Sequence, residues 1–310
     1  MAVSSFGPVS DCGGLGVEFG YQSNPVLSPL SSPLLLLLNP QSLIDDTLSD
    51  MNTDVDFQRT VTDLKTLGRE KMTLNERKNR RRALDNLGVP DFKDFVAARA
   101  LESLPSPPPT GTPRLQRAKT EVFQLNIGLY CNQACAHCHV ESSPRRKEMM
   151  TLETADRCLL ILRNSPEVTT LDITGGAPEL NTAFRHIVVK AREMRPDLDI
   201  IDRCNLTVVH EPGQEDLIPF LKEHNVHVIA SLPCYSSKNV NMQRGKGVFD
   251  RSISALLALN EGGFGAKGTK QLLDLVYNPL GAFLPPPQLP LEEKYRDELK
   301  GQFGVEFSNL

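Results

Sequence analysis

The chain is sparing with cysteine and histidine, seven and six residues in 310, and it lacks a long apolar run, a strong net charge and a basic leader. Each absence excludes a class. An odd set of mostly scattered cysteines does not form the paired framework of a small secreted domain, so free or metal-bound thiols in a reducing compartment are expected. The longest apolar run, PLLLLLNP at residues 33–40, is far shorter than the ~20 residues of a membrane-crossing helix, and no membrane is expected as a partner. A net charge of −4 gives no general electrostatic ground for binding nucleic acid. Asp11, Glu18, Asp45 and Asp46 all precede the first basic residue, Arg59, which matches neither a secretory signal nor an Arg-rich transit peptide. An intracellular protein, cytoplasmic or organellar, is the expectation.

What is present divides into three stretches. Residues 1–58 are rich in Ser, Pro, Gly and Asn and read as a disordered extension, with a short helical turn near 43–51 and no expected chemistry. Residues 59–117 read as a charged helical segment, with Phe92, Phe95, Ala98 and Leu101 on one face, closed by the stiff linker PSPPPTGTP at 105–113. The basic run at 77–82 reads as a solvated helix face. From 118 onward strand-like and helical runs alternate. The strand-like runs are EVFQLNIGL, TTLDITGG, LDIIDRCN, VHVIASLP, QLLDLVYNP and the closing stretch 292–307. The helices between them include 151–164, with Thr151 as N-cap and Leu152, Ala155, Leu159 and Leu162 as its buried stripe, and 182–194, 215–223 and 249–259. Six such alternations demand parallel pairing with right-handed crossovers, in a doubly wound sheet or a complete or partial barrel.

Three of the cysteines and two of the histidines crowd into YCNQACAHCHV, residues 130–140. Cys131, Cys135 and Cys138 are spaced C-x3-C-x2-C directly after the first strand, where parallel folds place their active sites. Two metals suit the loop. A structural zinc would take the three thiolates and His139. A four-iron cluster on three thiolates would leave one iron open to a substrate or cofactor. The next strand ends in DITGGAPEL, where Gly175 and Gly176 allow a sharp turn and close backbone approach to a ligand.

The two motifs in this order resemble the radical S-adenosylmethionine (SAM) superfamily. The resemblance implies an α/β fold, a partial (β/α)6 TIM-like barrel over residues 118–310, and a [4Fe-4S] cluster on Cys131, Cys135 and Cys138. Its open iron takes the amino and carboxylate groups of S-adenosylmethionine, whose reductive cleavage yields a 5′-deoxyadenosyl radical. The turn of Gly175, Gly176, Ala177 and Pro178, with Glu179 beside it, receives the amino group, and His137, before the third cysteine, meets the adenine where an aromatic residue is commoner. Read without the family, His137 is a solvated loop residue and His139 a packing one. An electron donor such as ferredoxin or flavodoxin is implied as a partner.

A finer resemblance, over RCNLTVV, ASLPCYSSKNVNMQRGKGVFDRSI and LDLVYNPLGAFLPPPQ, is to the radical SAM/Cys-rich family that includes arsenosugar-biosynthesis enzymes. It implies transfer of the 5′-deoxyadenosyl group to dimethylarsenite, a small methylated trivalent arsenic substrate. Cys204 and Cys234, after the third and fourth strands, are then the candidate catalytic thiols on the rim, and Asn205 and Ser231 candidates for the ribose or carboxylate of the cofactor. Asn278 is a further polar candidate, and Arg244 one for pairing with a carboxylate or phosphate. The family's cysteine-rich C-terminal domain is not found before Leu310. The alternatives are a radical SAM enzyme acting on a peptide or RNA, or a truncated non-catalytic metal-binding module.

Overall fold

A computed structural model describes residues 42–53, 55, 88, 94–95, 119–279 and 284–310. The helical segment and linker expected over 59–117 lie outside the described residues apart from Gly88, Asp94 and Phe95, as does the extension before Ser42. Two compact units divide the chain, Met1–Asp50 with Glu121–Leu310, and Met51–Thr120.

The first unit is an α/β fold on five parallel strands in the order of the sequence: β1 (Val122–Asn126), β2 (Thr170–Thr174), β3 (Asp199–Cys204), β4 (Val226–Ser231) and β5 (Leu273–Val276). Every neighbouring pair is parallel, with Gln124 opposite Asp172 and Asp202 opposite Val228 fixing the register. The helices are α1 (Leu43–Thr53), which precedes the sheet, and then α2 (Leu152–Arg163), α3 (Thr182–Met194), α4 (Leu217–Glu223), α5 (Ser237–Arg244), α6 (Val248–Glu261) and α7 (Gln288–Phe303). The sixth strand-like run becomes α7 and an extended tail. That tail lies along β5, with Ser308 N donating to Leu273 O at 2.6 Å and Leu275 N to Asn309 O at 2.9 Å.

Alternation along the strands separates two faces. Leu125, Leu171, Ile173, Ile200, Val228 and Ala230 are buried on one face and join the helical core. The other face carries Gln124, Asp172, Arg203, His227 and Asp274, joined by Gln124 Nε2 to Asp172 Oδ2 (3.0 Å) and by the paired Arg203–Asp172 bonds of 2.8 Å. Such a polar, half-open face is the expected inner wall of a partial barrel. Thr151 caps α2 as its sequence predicts, accepting from Thr154 N at 3.2 Å. Its buried stripe is Ala155, Leu159 and Leu162, while Leu152, expected in that stripe, is exposed. Leu291, Tyr295 and Leu299 bury one stripe of α7, and Tyr295 Oη donates to Leu232 O at 3.0 Å, pinning the loop after β4.

The inner face also carries a titrating pair. His227 Nε2 is 3.0 Å from Asp274 Oδ2, and its other ring nitrogen is 3.9 Å from Asp199. Burial disfavours the imidazolium, but Asp199 and Asp274 outweigh it and hold the pKa up at about 9. Only the Asp274 contact has hydrogen-bond geometry; Asp199 acts through its charge. A folded-state pKa above the unfolded ~6.5 stabilises the fold fully below pH ~6.5, and that contribution, roughly 3 kcal/mol, is lost as pH rises through about 9. The melting temperature should therefore fall across this window, and His227→Gln should flatten the decline in a pH series of thermal melts.

Candidate active site

The cysteine loop leaves β1 and folds back on itself. Leu129 N donates to Glu148 O (2.8 Å) and Met150 N to Ile127 O (2.7 Å), so the two arms run side by side. At the tip, Cys138 N to Cys135 O (3.1 Å) and Glu141 N to Cys138 O (3.2 Å) close two successive turns. Cys131 is buried, and Cys135 and Cys138 are partly buried. Donors point at two of the sulfurs: Gln133 N (3.4 Å) and Asn205 Nδ2 (3.5 Å) at Cys131, and Ser142 N (3.3 Å) at Cys138. Burial, and then the neighbouring Cys135, pushes Cys131 up to about 12; burial also raises Cys135, opposed by the Arg244 charge. The unliganded Cys131 and Cys135 thiols are therefore protonated, and loading them with metal releases protons. The three sulfurs do not all lie within 4.8 Å of one another. A single tetrahedral zinc holds thiolates ~3.8 Å apart, whereas the separate corners of a cluster allow a wider set.

The glycine turn after β2 sits directly on this loop. Ala177 N donates to Tyr130 O at 2.9 Å. Gly175 and Gly176 have φ of +108° and +58°. A Cβ at Gly176 would fall on the Tyr130 carbonyl, and one at Gly175 would come within 2.6 Å of Gly128 O. The glycines are required both by their positive φ and by this backbone contact between loops. Asn181 completes the joint: its Oδ1 caps α3 through Ala183 N (2.8 Å), and its Nδ2 donates to Ile127 O (2.6 Å).

Beneath the loop lies a buried polar network. Arg244, 4% exposed in the last turn of α5, donates to Gln133 Oε1 (2.8 Å), to Asn205 O (2.7 Å) and to Ser231 O. Gln133 Nε2 donates to Thr207 Oγ1 (2.7 Å), which also accepts from Asn132 Nδ2 (3.0 Å). Asn132 Nδ2 reaches Glu211 Oε1 at 2.9 Å. Glu211 in turn receives Ser42 Oγ (2.7 Å) and Leu43 N (3.0 Å), and so caps the N-terminus of α1, where the helix dipole favours an anion. Thr47 Oγ1 donates to Asn132 O at 2.9 Å. The start of α1, in the stretch where no chemistry was expected, thus braces the cysteine loop.

The sequence candidates separate. Asn205 is in contact with the loop, but its amide donates to Asn132 Oδ1 (2.7 Å) and Cys131 Sγ, and its oxygen accepts from Thr207 Oγ1 and Val208 N. Ser231 ends β4 with its carbonyl on Arg244. His137 is exposed at the loop tip, its pKa lowered by partial burial and by the Arg244 charge. Cys234 is fully buried in the loop after β4, accepting from Ser236 N (3.4 Å) and Asn239 Nδ2 (3.5 Å). Asn278 Nδ2 reaches Gln243 Oε1 at 3.4 Å. Two expectations are corrected. Cys204 alternates with Arg203 and so faces the helical core, away from the rim. The Glu179 carboxyl meets it there with Asp202, since the turn Pro178–Leu180 packs on β3. The spacing of Asn132 and Gln133 inside the cysteine motif was a visible signal for their role; Thr207 and Glu211 offered none.

Residues 125–278 match the family profile described as the Radical SAM superfamily. No curated protein matches the chain. Similar solved structures include SuiB of Streptococcus suis bound to precursor peptide SuiA, at 15% identity and a TM-score of 0.43 over 67% of this chain and 49% of that one. Native anSMEcpe with bound AdoMet and Cp18Cys peptide has 16% identity and a TM-score of 0.41 over 51% and 42%. HydG, a maturase of the [FeFe]-hydrogenase, has 15% identity and a TM-score of 0.37 over 61% and 42%. The chain spans less than half the length of these three structures.

Arg244→Ala should leave three buried acceptors short of a donor and cost about 2–4 kcal/mol in a urea titration. Arg244→Lys keeps the charge without the planar fork and should recover only part of that loss.

Proposed function

We propose that this chain, which carries a radical SAM superfamily domain over residues 125–278, is an enzyme that holds a [4Fe-4S] cluster on Cys131, Cys135 and Cys138 and cleaves S-adenosylmethionine beside it. One observation carries the reading: a three-thiol loop leaving β1 is joined by backbone, Ala177 N to Tyr130 O at 2.9 Å, to a positive-φ glycine turn leaving β2. The residues present fit the cluster. Three thiols sit on one ordered loop, two of them with donors aimed at sulfur, and no fourth cysteine lies on the same loop. When bound, the cluster supplies one electron to the sulfonium, so that the C5′–S bond breaks to methionine and a 5′-deoxyadenosyl radical.

The chain's own residues orient the reactants and exclude water. The turn of Gly175, Gly176, Ala177 and Pro178 offers backbone groups to the methionine amino group, with Glu179 contributing only main chain because its carboxyl is turned into the core. His137, favoured in its neutral form, stacks on the adenine from the exposed loop tip. Ser231 meets the ribose or carboxylate at the end of β4, and Asn205 acts by holding Cys131. The substrate is trivalent dimethylarsenic, whose lone pair traps the carbon radical; the odd electron of the adduct passes to the oxidised ferredoxin- or flavodoxin-type partner and the arsenous O–H proton to solvent, which leaves a pentavalent arsine oxide. Of the two candidate thiols Cys234 is the one in a loop at a strand end, with Ser236 N and Asn239 Nδ2 donating to its sulfur, but it is fully buried and holds arsenic only if that loop uncovers it; Cys204 faces the other side of the sheet. A ferredoxin- or flavodoxin-type protein supplies the electron.

Oxygen-free incubation of reconstituted full chain with reductant, S-adenosylmethionine and dimethylarsenite, read by mass spectrometry, should give a 5′-deoxyadenosyl–dimethylarsenic product. Cys135→Ala should lower it by more than ~100-fold, since one lost thiolate removes the site. Free 5′-deoxyadenosine with no arsenic adduct would remove arsenic as the substrate and point to a peptide or RNA. A colourless protein holding one zinc on this loop would overturn the whole reading.

A further inference from the structure

The helical side of the sheet holds a second group of metal-ligating side chains. Glu179, Asp202 and Cys204 each bring one ligand atom within 4.8 Å of the other two. They are 3%, 0% and 1% exposed. The four oxygens of Glu179 and Asp202 are buried and accept from no donor outside the cluster among the described residues, although within it Glu179 lies near enough to Asp202 and to the Cys204 thiol to share protons with them. Cys204 Sγ accepts from Leu206 N at 3.3 Å, while burial and then the carboxyls of Glu179 and Asp202 hold the unliganded thiol in its protonated form. Two buried carboxyls side by side with nothing to solvate them are expensive, because neither water nor an opposite charge offsets desolvation.

Two arrangements relieve this. A proton shared between the carboxyls, with the Cys204 thiol donating to Glu179, still leaves one oxygen of Asp202 bare. A divalent cation meets both carboxylates and the sulfur at once. The placement favours the ion: Glu179 hangs from the 3-10 turn Pro178–Leu180, Asp202 and Cys204 project from one face of β3, and the two elements are packed together. The thiolate selects a borderline ion of the zinc type over magnesium or calcium, which take oxygen alone.

We propose that Glu179, Asp202 and Cys204 form a structural site for one zinc-type divalent ion, distinct from the cysteine loop and bracing the glycine turn against β3. Binding displaces the remaining thiol and carboxyl protons to solvent, with no change in oxidation state. Because the three residues are closed off from water, the ion enters during folding rather than after it.

The test uses the full chain from zinc-supplemented culture, both unaltered and with Cys131→Ser, Cys135→Ser and Cys138→Ser together, so that the loop itself cannot retain an ion. After washing with chelator, both proteins should hold about one zinc per chain by elemental analysis. Asp202→Asn and Cys204→Ala, each added to the triple variant and checked for folding by circular dichroism, should lower zinc at least ~10-fold. Cobalt supplied in place of zinc should give a sulfur-to-metal charge-transfer band that disappears in Cys204→Ala. Absence of retained zinc in the triple variant overturns the proposal, as does retention unaltered by Asp202→Asn or Cys204→Ala. So does an infrared band of a protonated carboxyl that persists in zinc-grown protein and vanishes in Asp202→Asn. Because the triple variant cannot hold the cluster, these outcomes do not depend on the radical chemistry.

Discussion

The buried Arg244 guanidinium is the interaction on which the site depends. It reaches Gln133 in the cysteine loop, Asn205 after β3 and Ser231 at the end of β4, three elements whose only common feature is the edge of the sheet at which they end. A planar fork can serve three acceptors in fixed directions, which a lysine cannot. The cost of burying the cation is offset by charge-assisted hydrogen bonds. At the far end of the same network sits Glu211, a buried carboxyl held by the first turn of α1. Arg244 and Glu211 do not touch. The chain of Gln133, Thr207 and Asn132 between them makes one polar unit of loop, sheet edge and α1.

This arrangement accounts for how a flexible stretch holds three thiols in place before any ion arrives. Loop residues are usually the most mobile part of a fold. Here Asn132 and Gln133, lying between the first and second cysteines, are fully engaged below, and Tyr130 is locked to the glycine turn beside them. The tip with His137 and His139 remains exposed. Rigidity at the base and access at the tip are what a cofactor-binding loop requires.

Much of this was legible in the sequence. The C-x3-C-x2-C and GGAP motifs fixed the order of loops at the sheet edge, and α3 lies where its pattern put it, because periodic apolar stripes report burial directly. What escaped was polar. Cys204 and Arg203 differ by one position, and strand alternation sends them to opposite faces; from sequence the thiol looked like a rim residue only because it stood near a strand end. Nothing around Glu211 or Ser42 announced a contact across 169 residues. Hydrogen bonds at such separation leave no period to read. The helix α5 was also missed, since SKNVNMQR has little apolar patterning, and with it the reason why Arg244 is buried. The sixth strand-like run became a helix and a tail because Leu291, Tyr295 and Leu299 recur at helical spacing.

In the proposed site, three thiolates on this braced loop leave one iron corner open to the methionine end of the cofactor. Electron–nuclear double resonance on the reduced cluster, with 15N- and 13C-labelled S-adenosylmethionine, tests that claim at the bond itself. Hyperfine coupling to the labelled amino nitrogen and carboxylate carbon is the expected result. A cluster signal that is identical with and without the labelled cofactor would contradict it.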